Sequence, residues 1–135
     1  MKQQNYPDLN FVIEGPLLDQ AARCEPILRA LPDWFGIETA IVHFVNEIDR
    51  LPTFLALQDE QVLGFLSLKQ HNSYAAEVYL IGVRMAAHRQ GIGRQLMQQA
   101  EAFLQTQGVE YLQVKTLSAA HPDKGYAKTR SFYLA

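Results

Sequence analysis

The chain has 135 residues, of which 48% are hydrophobic and 19% charged, and its net charge is −2. That length and balance describe one globular domain, spanning 1–135, with one core. There is no basic tract to meet nucleic acid, and no apolar run approaches the ~18–20 residues of a membrane span. The first ten residues, MKQQNYPDLN, hold no apolar signal core, which reads as a chain that stays in the cytoplasm. Cys24 stands alone, so no intrachain disulfide is expected, and a buried packing thiol is the simplest role for it. The four histidines share no ligand spacing, so no metal is expected.

Asn10 to Ile13 reads as a short first strand ended by Gly15-Pro16. From Leu17 to Leu31, Leu18, Ala21, Cys24, Leu28 and Leu31 share one helical face, with Pro26 kinking or dividing the helix. Leu31-Pro32 breaks the chain. Asp33 is a cap for a second helix over Trp34 to Arg50, with Ile37, Ile41, Phe44, Val45 and Ile48 inward and His43 as a packing or rim residue. Thr53–Gln58 and Gln61–Lys69 are β-rich runs joined by Asp59-Glu60, a two-residue hairpin pattern. His71-Asn72-Ser73 reads as a turn. Ala75–Val83 is a strand antiparallel to the one before it.

A helix over 91–107 follows, its stripe made by Ile92, Leu96, Ala100, Phe103 and Leu104, with Gly108 as its stop. Tyr111–Leu117 is a further strand, parallel to Ala75–Val83 because a helix crosses between them. Ser118–Gly125 is a loop, and Ala127–Ala135 begins a last helix. The order β-α-α-β-β-β-α-β-α implies an α/β (α+β) fold: a mixed, mostly antiparallel sheet flanked by helices on both sides.

The chemistry concentrates between Tyr79 and Leu104, which reads as strand, glycine turn, helix. The first amides of a helix have no intrahelical partners, and the helix dipole adds roughly half a positive charge there. Gly91 and Gly93 let backbone approach a ligand closely, and Arg89 and Arg94 flank the turn. Together these make a seat for phosphate or pyrophosphate. A P-loop would need Lys-Ser/Thr after its last glycine, where Arg94-Gln95 stands. A Rossmann turn would want a small residue at Leu96.

The segment from Val83 to Leu96, with His88-Arg89-Gln90-Gly91-Ile92-Gly93 at its centre, resembles motif A of the GNAT superfamily of acetyl-CoA-dependent N-acetyltransferases. His88 stands where Arg or Gln is usual, and Met85 where many members have proline. The resemblance runs from Asn10 to Ala135. It implies acetyl-CoA as cosubstrate, held by Ile81 and Val83 on the fourth strand and by His88, Arg89, Gln90, Gly91, Ile92, Gly93 and Arg94. It also implies that the fourth and fifth strands splay around pantetheine, with Gly82 placing a bulge there and a backbone N–H near Val83 serving as oxyanion donor.

Thr129-Arg130-Ser131-Phe132-Tyr133 resembles the family segment whose tyrosine protonates the leaving thiolate, so Tyr133 is the implied acid. Tyr126 stands where many members have a pantetheine-binding Asn, so that role is not carried over. Trp34 and Phe35, like His43, read as packing or rim residues; the resemblance implies that this region helps wall the acceptor pocket, which is the alternative role for Trp34 or Phe35. Glu77 lies six residues before Val83, on the same face by simple alternation, and is the candidate base or amine-binding carboxylate; Glu38 is a weaker candidate.

The acceptor implied is a small-molecule or peptide amine. The alternatives are a CoA-binding module that has lost catalysis and an interaction domain whose glycine turn is only a turn. Family domains continue past the last helix into further strands, so the chain reads as C-terminally short. The strand Tyr111–Leu117 would then be an open edge through which two copies could pair.

Overall fold

The computed structural model describes residues 10–30, 38–117 and 127–134; for 115–117 and 127–133 it describes the backbone only. In chain order the elements are β1 (Val12–Leu17), α1 (Ala21–Arg29), α2 (Glu38–Ile48), β2 (Thr53–Gln58), β3 (Gln61–Asn72), β4 (Ala75–Val83), a 3₁₀ turn (Met85–Ala87), α3 (Ile92–Thr106), β5 (Tyr111–Leu117) and β6 (Ala127–Tyr133). The strands form one sheet in the order β1-β2-β3-β4-β5-β6. Every neighbouring pair is antiparallel except β4 and β5, which run parallel because α3 carries the chain back between them.

The helices lie on both faces, as the element order implies, and each face has its own core. On one, Ile92, Leu96, Ala100 and Leu104 of α3 pack on Phe54, Leu66, Leu68, Ala76 and Val78. On the other, Ala21, Cys24, Ile27 and Leu28 of α1 and Ile41 and Ile48 of α2 pack on Leu55, Phe65 and Leu80. The stripe read from α3 is the buried face found, with Phe103 at its margin. α1 and α2 are tied at both ends. The Asp49 carboxylate accepts the first amide of α1, from Ala21, at 2.9 Å, and Arg29 spans to both carboxylate oxygens of Glu38 at 2.7 and 2.9 Å. That ion pair holds the exposed Glu38 carboxyl below its usual range.

The hairpin at Asp59-Glu60, the extent of β4, the direction of β5 and the stop at Gly108 (φ 79°) agree with the sequence reading. Several expectations are corrected. β1 runs through Gly15-Pro16 to Leu17, with a register shift between Glu14 and Leu17. An edge strand tolerates a proline there, and a side chain at residue 15 would meet Phe54 at 2.9 Å. Pro26 lies within α1 without dividing it. It sits on the exposed side of the helix, while Ile27 and Leu28 beside it are fully buried. β3 is longer than expected and reaches Asn72, so the turn is Ser73-Tyr74.

Residues 127–133 are a strand and not the start of a helix: β6 pairs antiparallel with the whole of β5, Tyr111↔Tyr133 through Leu117↔Ala127. Thr129, Phe132 and Tyr133 favour extended backbone, and the pairing supplies partners to the edge of β5 that was expected to be open. Asp33, Trp34, Phe35, Tyr126 and the loop Ser118–Gly125 lie outside the described residues.

Candidate active site

The glycine turn is built as the sequence implies. Gly91 is the residue before α3 and holds φ +82°, with no side chain capping the helix. The Gly91 carbonyl accepts from the Gln95 amide at 3.0 Å, so the first turn is closed while the amides of Ile92, Gly93 and Arg94 precede any intrahelical partner. A Cβ at Gly91 or Gly93 would meet nothing within 4 Å. Donors and open space therefore coincide, which is what a pyrophosphate requires. Arg89 also takes a left-handed φ of 66°, turning the chain sharply into the helix.

The flanking residues divide by role. The His88 ring is committed to the end of β4: its Nε2 lies 2.7 Å from the Val83 carbonyl. Arg84 anchors the same corner, its amide donating to Leu63 O at 2.8 Å and its Nε to Val62 O at 2.7 Å. Gln90 donates weakly to Ala86 O at 3.4 Å. Ile92 is 1% exposed, its side chain packed into the core on the α3 face of the sheet. Arg89 and Arg94 are exposed beside it.

The cleft arises where two parallel strands part. β4 and β5 pair only from Ala75↔Tyr111 to Val78↔Val114, after which β4 continues to Val83. Ile81, 37% exposed, lies along the stretch of β4 beyond that pairing. The bulge is present but not at Gly82. The β3–β4 register shifts between Ser67↔Leu80 and Leu68↔Val78, leaving Tyr79 as the extra residue. Gly82 is regular, paired with Phe65; its missing side chain makes room for the Phe65 ring at 3.0 Å and Ile27 at 3.3 Å.

The bulge also changes which residues share a face. Ala76, Val78 and Val83 pack toward α3, whereas Tyr79 and Leu80 both pack toward α1 and α2. Glu77, between Ala76 and Val78, therefore faces α1 and α2, opposite to Val83. The expectation that both share a face fails because an inserted residue inverts the alternation.

On that second face Glu77 is almost fully buried and sits 2.7 Å from His71 Nε2. Lys69, its register partner on β3, holds its Nζ 5.6 Å from the centre of the Tyr79 ring. The Tyr79 hydroxyl lies 3.4 Å from His43 Nε2, and Phe44 meets the Tyr79 ring edge-on at 6.1 Å. Burial raises the Tyr79 phenol above its ordinary value, and the carboxylates of Glu47 and Glu77 raise it further. The arrangement pairs a buried carboxylate with a half-exposed imidazole beside a cleft, a setting suited to accepting a proton from an amine.

His71, Lys69 and Tyr79 were not singled out as site residues from the sequence. A signal existed: a tight turn after β3 sets His71 and Lys69 against Glu77 and Tyr79. Tyr133 is not brought to the turn. Its backbone pairs with Tyr111, at the end of β5 away from Val83. Cys24 is fully buried and its thiol is pushed up to about 12, consistent with packing and not nucleophilic duty. Among the described residues no group of three or more His, Cys, Asp or Glu could hold a metal ion, and no helix is long and apolar enough to cross a membrane.

Residues 20–132 match the sequence model of the acetyltransferase (GNAT) family. No curated protein matches the chain. Among solved structures, a GNAT family acetyltransferase from Brucella melitensis in complex with acetyl-CoA is 15% identical, with a TM-score of 0.70 over 93% of this chain and 89% of that one. A PaiA N-acetyltransferase from Thermoplasma acidophilum in complex with coenzyme A is 17% identical, with a TM-score of 0.66 over 87% and 83% of the two chains. At these identities the likeness is one of fold. An IAA acetyltransferase from Bacillus cereus is 26% identical, with a TM-score of 0.64 over 82% and 69%.

Proposed function

We propose, from the premise that the chain belongs to the acetyltransferase (GNAT) family, that it moves an acetyl group from acetyl-CoA to a primary amine by direct attack in a ternary complex. The observation that carries this reading is the coincidence of free helix amides, open space at Gly91 and Gly93, and a cleft that begins where β4 leaves β5.

Acetyl-CoA supplies an activated acyl group on sulfur. The amides of Ile92, Gly93 and Arg94 hold its pyrophosphate, with Arg89 and Arg94 adding charge. Ile81 and Val83 line the path from that seat along β4. A bulge leaves its extra residue out of the strand ladder, so the backbone N–H at Tyr79 takes over the oxyanion role expected near Val83. Glu77 binds the cationic amine and accepts its proton.

Tyr133 is the proposed proton donor to the leaving thiolate. The Thr129–Tyr133 segment supports that role, and the β6 register, which sets Tyr133 opposite Tyr111, opposes it. Trp34 and Phe35 are proposed to wall the acceptor side. The chain acts in the cytoplasm in this reading, as a single domain.

Calorimetry with acetyl-CoA tests the seat, and no binding at millimolar ligand would refute it. A thiol-release screen over spermidine, kanamycin, lysine and an alanyl peptide then tests transfer. Binding without transfer to any of them would leave a CoA-binding module in place of an enzyme.

A further inference from the structure

We infer that His71 is the proton exit of the site, taking from Glu77 the proton that the acceptor amine must lose and passing it to solvent. The inference rests on the acetyl-transfer reading above and names a residue that the reading does not need.

Three observations carry it. The Glu77 side chain is 9% exposed whereas that of His71 is 39% exposed, and 2.7 Å separates Oε1 from Nε2. The pair thus runs from interior to surface in one hydrogen bond. Glu77 lies two residues before the bulge at Tyr79, about 7 Å along a strand, and on the same face as Tyr79 and Leu80. It is therefore close to the point where β4 parts from β5. Finally, Glu77 has almost no solvent contact of its own, so a proton it takes from the amine needs a route outward. The charged and titratable groups around the pair are Lys69 on β3, Tyr79 on β4, and His43 and Glu47 on α2.

The bookkeeping of the step is complete without a co-reactant. An acceptor ammonium gives one proton to the Glu77 carboxylate and becomes a nucleophile. Nε2 of His71, in the Nδ1–H tautomer, takes that proton from Glu77, Nδ1 gives its own to water, and proton exchange with solvent returns the half-exposed ring to its starting tautomer before the next turnover. The amine nitrogen bonds the acyl carbon, the carbon–sulfur bond breaks, the nitrogen sheds its second proton, and the thiolate takes one up. The net products are amide, thiol and one proton in solvent.

The experiment compares His71→Gln and His71→Ala in the full chain, using the best amine among spermidine, kanamycin, lysine and an alanyl peptide. Gln can keep the hydrogen bond to Glu77 but cannot carry a proton. The expected result is a melting temperature and CoA affinity near those of the unmodified chain, with kcat about tenfold lower. Added imidazole should restore His71→Ala in proportion to its concentration. If His71→Gln turns over as the unmodified chain does, His71 only holds Glu77 in place and the inference is wrong. If the unmodified chain binds CoA but acetylates none of the amines, the acetyl-transfer reading falls and takes this inference with it.

Discussion

The two ends of β4 were built in different ways. At its C-terminal end, the turn from Arg84 to Gly93 is a local object: ten consecutive residues set the backbone angles, the helix start and the flanking charges. At its N-terminal half, Glu77 gains meaning only from neighbours distant in the chain, with His71 and Lys69 on β3 and the Tyr79–His43 contact reaching across 36 residues to α2. A backbone anion site can be written in one short segment, because donors and the helix dipole are supplied by the helix itself. A side-chain acid–base site cannot, because burial and a partner must come from elsewhere in the fold.

If that contrast is right, the largest effect of a single substitution falls at the turn. Gly91→Val places a β-branched side chain at φ +82° and fills the open space above the helix. Calorimetry should show CoA affinity lower by at least about a hundredfold, or ~2.7 kcal/mol, with a further ~1–2 kcal/mol of backbone strain in the unliganded protein. Unchanged affinity would move the phosphate seat elsewhere. Next, Glu77→Gln should lower kcat about a hundredfold or more with CoA affinity intact, as the two ends act independently. A loss of CoA affinity of the same size would erase the distinction between them.

Gly82→Ala tests the packing role of this glycine. Its new Cβ meets the Phe65 ring at 3.0 Å and Ile27 at 3.3 Å, so denaturant unfolding should show about 1–3 kcal/mol of overpacking. No change in stability would mean that the Phe65 ring and Ile27 give way to the added Cβ and that the close packing at Gly82 is not what requires glycine there. Tyr133→Phe should lower turnover several-fold with little change in CoA affinity. Unchanged turnover would assign Tyr133 to the β5–β6 pairing alone.

The smallest effect is a pH dependence. The Tyr79 phenol is raised above its ordinary value of 10 by burial and by Glu47 and Glu77, so the folded chain holds this proton more tightly than the unfolded one. Its stability contribution is complete below pH 10 and is lost as pH rises through the higher folded value. Tyr79→Phe should therefore flatten the alkaline limb of a melting-temperature profile and leave neutral pH nearly unaffected.

Most of the architecture was legible in the residues. The apolar stripe of α3, the Asp59-Glu60 hairpin, the direction of β5 and the stop at Gly108 all follow from short-range periodicity and turn chemistry. The errors share one cause. Whether β1 stops at Gly15, whether Pro26 divides a helix and whether 127–133 is helix or strand depend on packing and pairing partners outside the segment. The sequence reading put a helix over 127–135, yet β5 offered a ladder of backbone partners, and 127–133 took it.

By itself, the sequence determined the glycine turn and the helix that starts from it, because glycine spacing and a helix start act through backbone in one stretch of chain. Tertiary structure alone decided where the bulge lies and hence which face Glu77 looks toward. One unpaired residue, Tyr79, reverses the alternation of every residue beyond it in β4. Which residue is left unpaired depends on how β3 and β4 align across the hairpin, and no count along β4 contains that information.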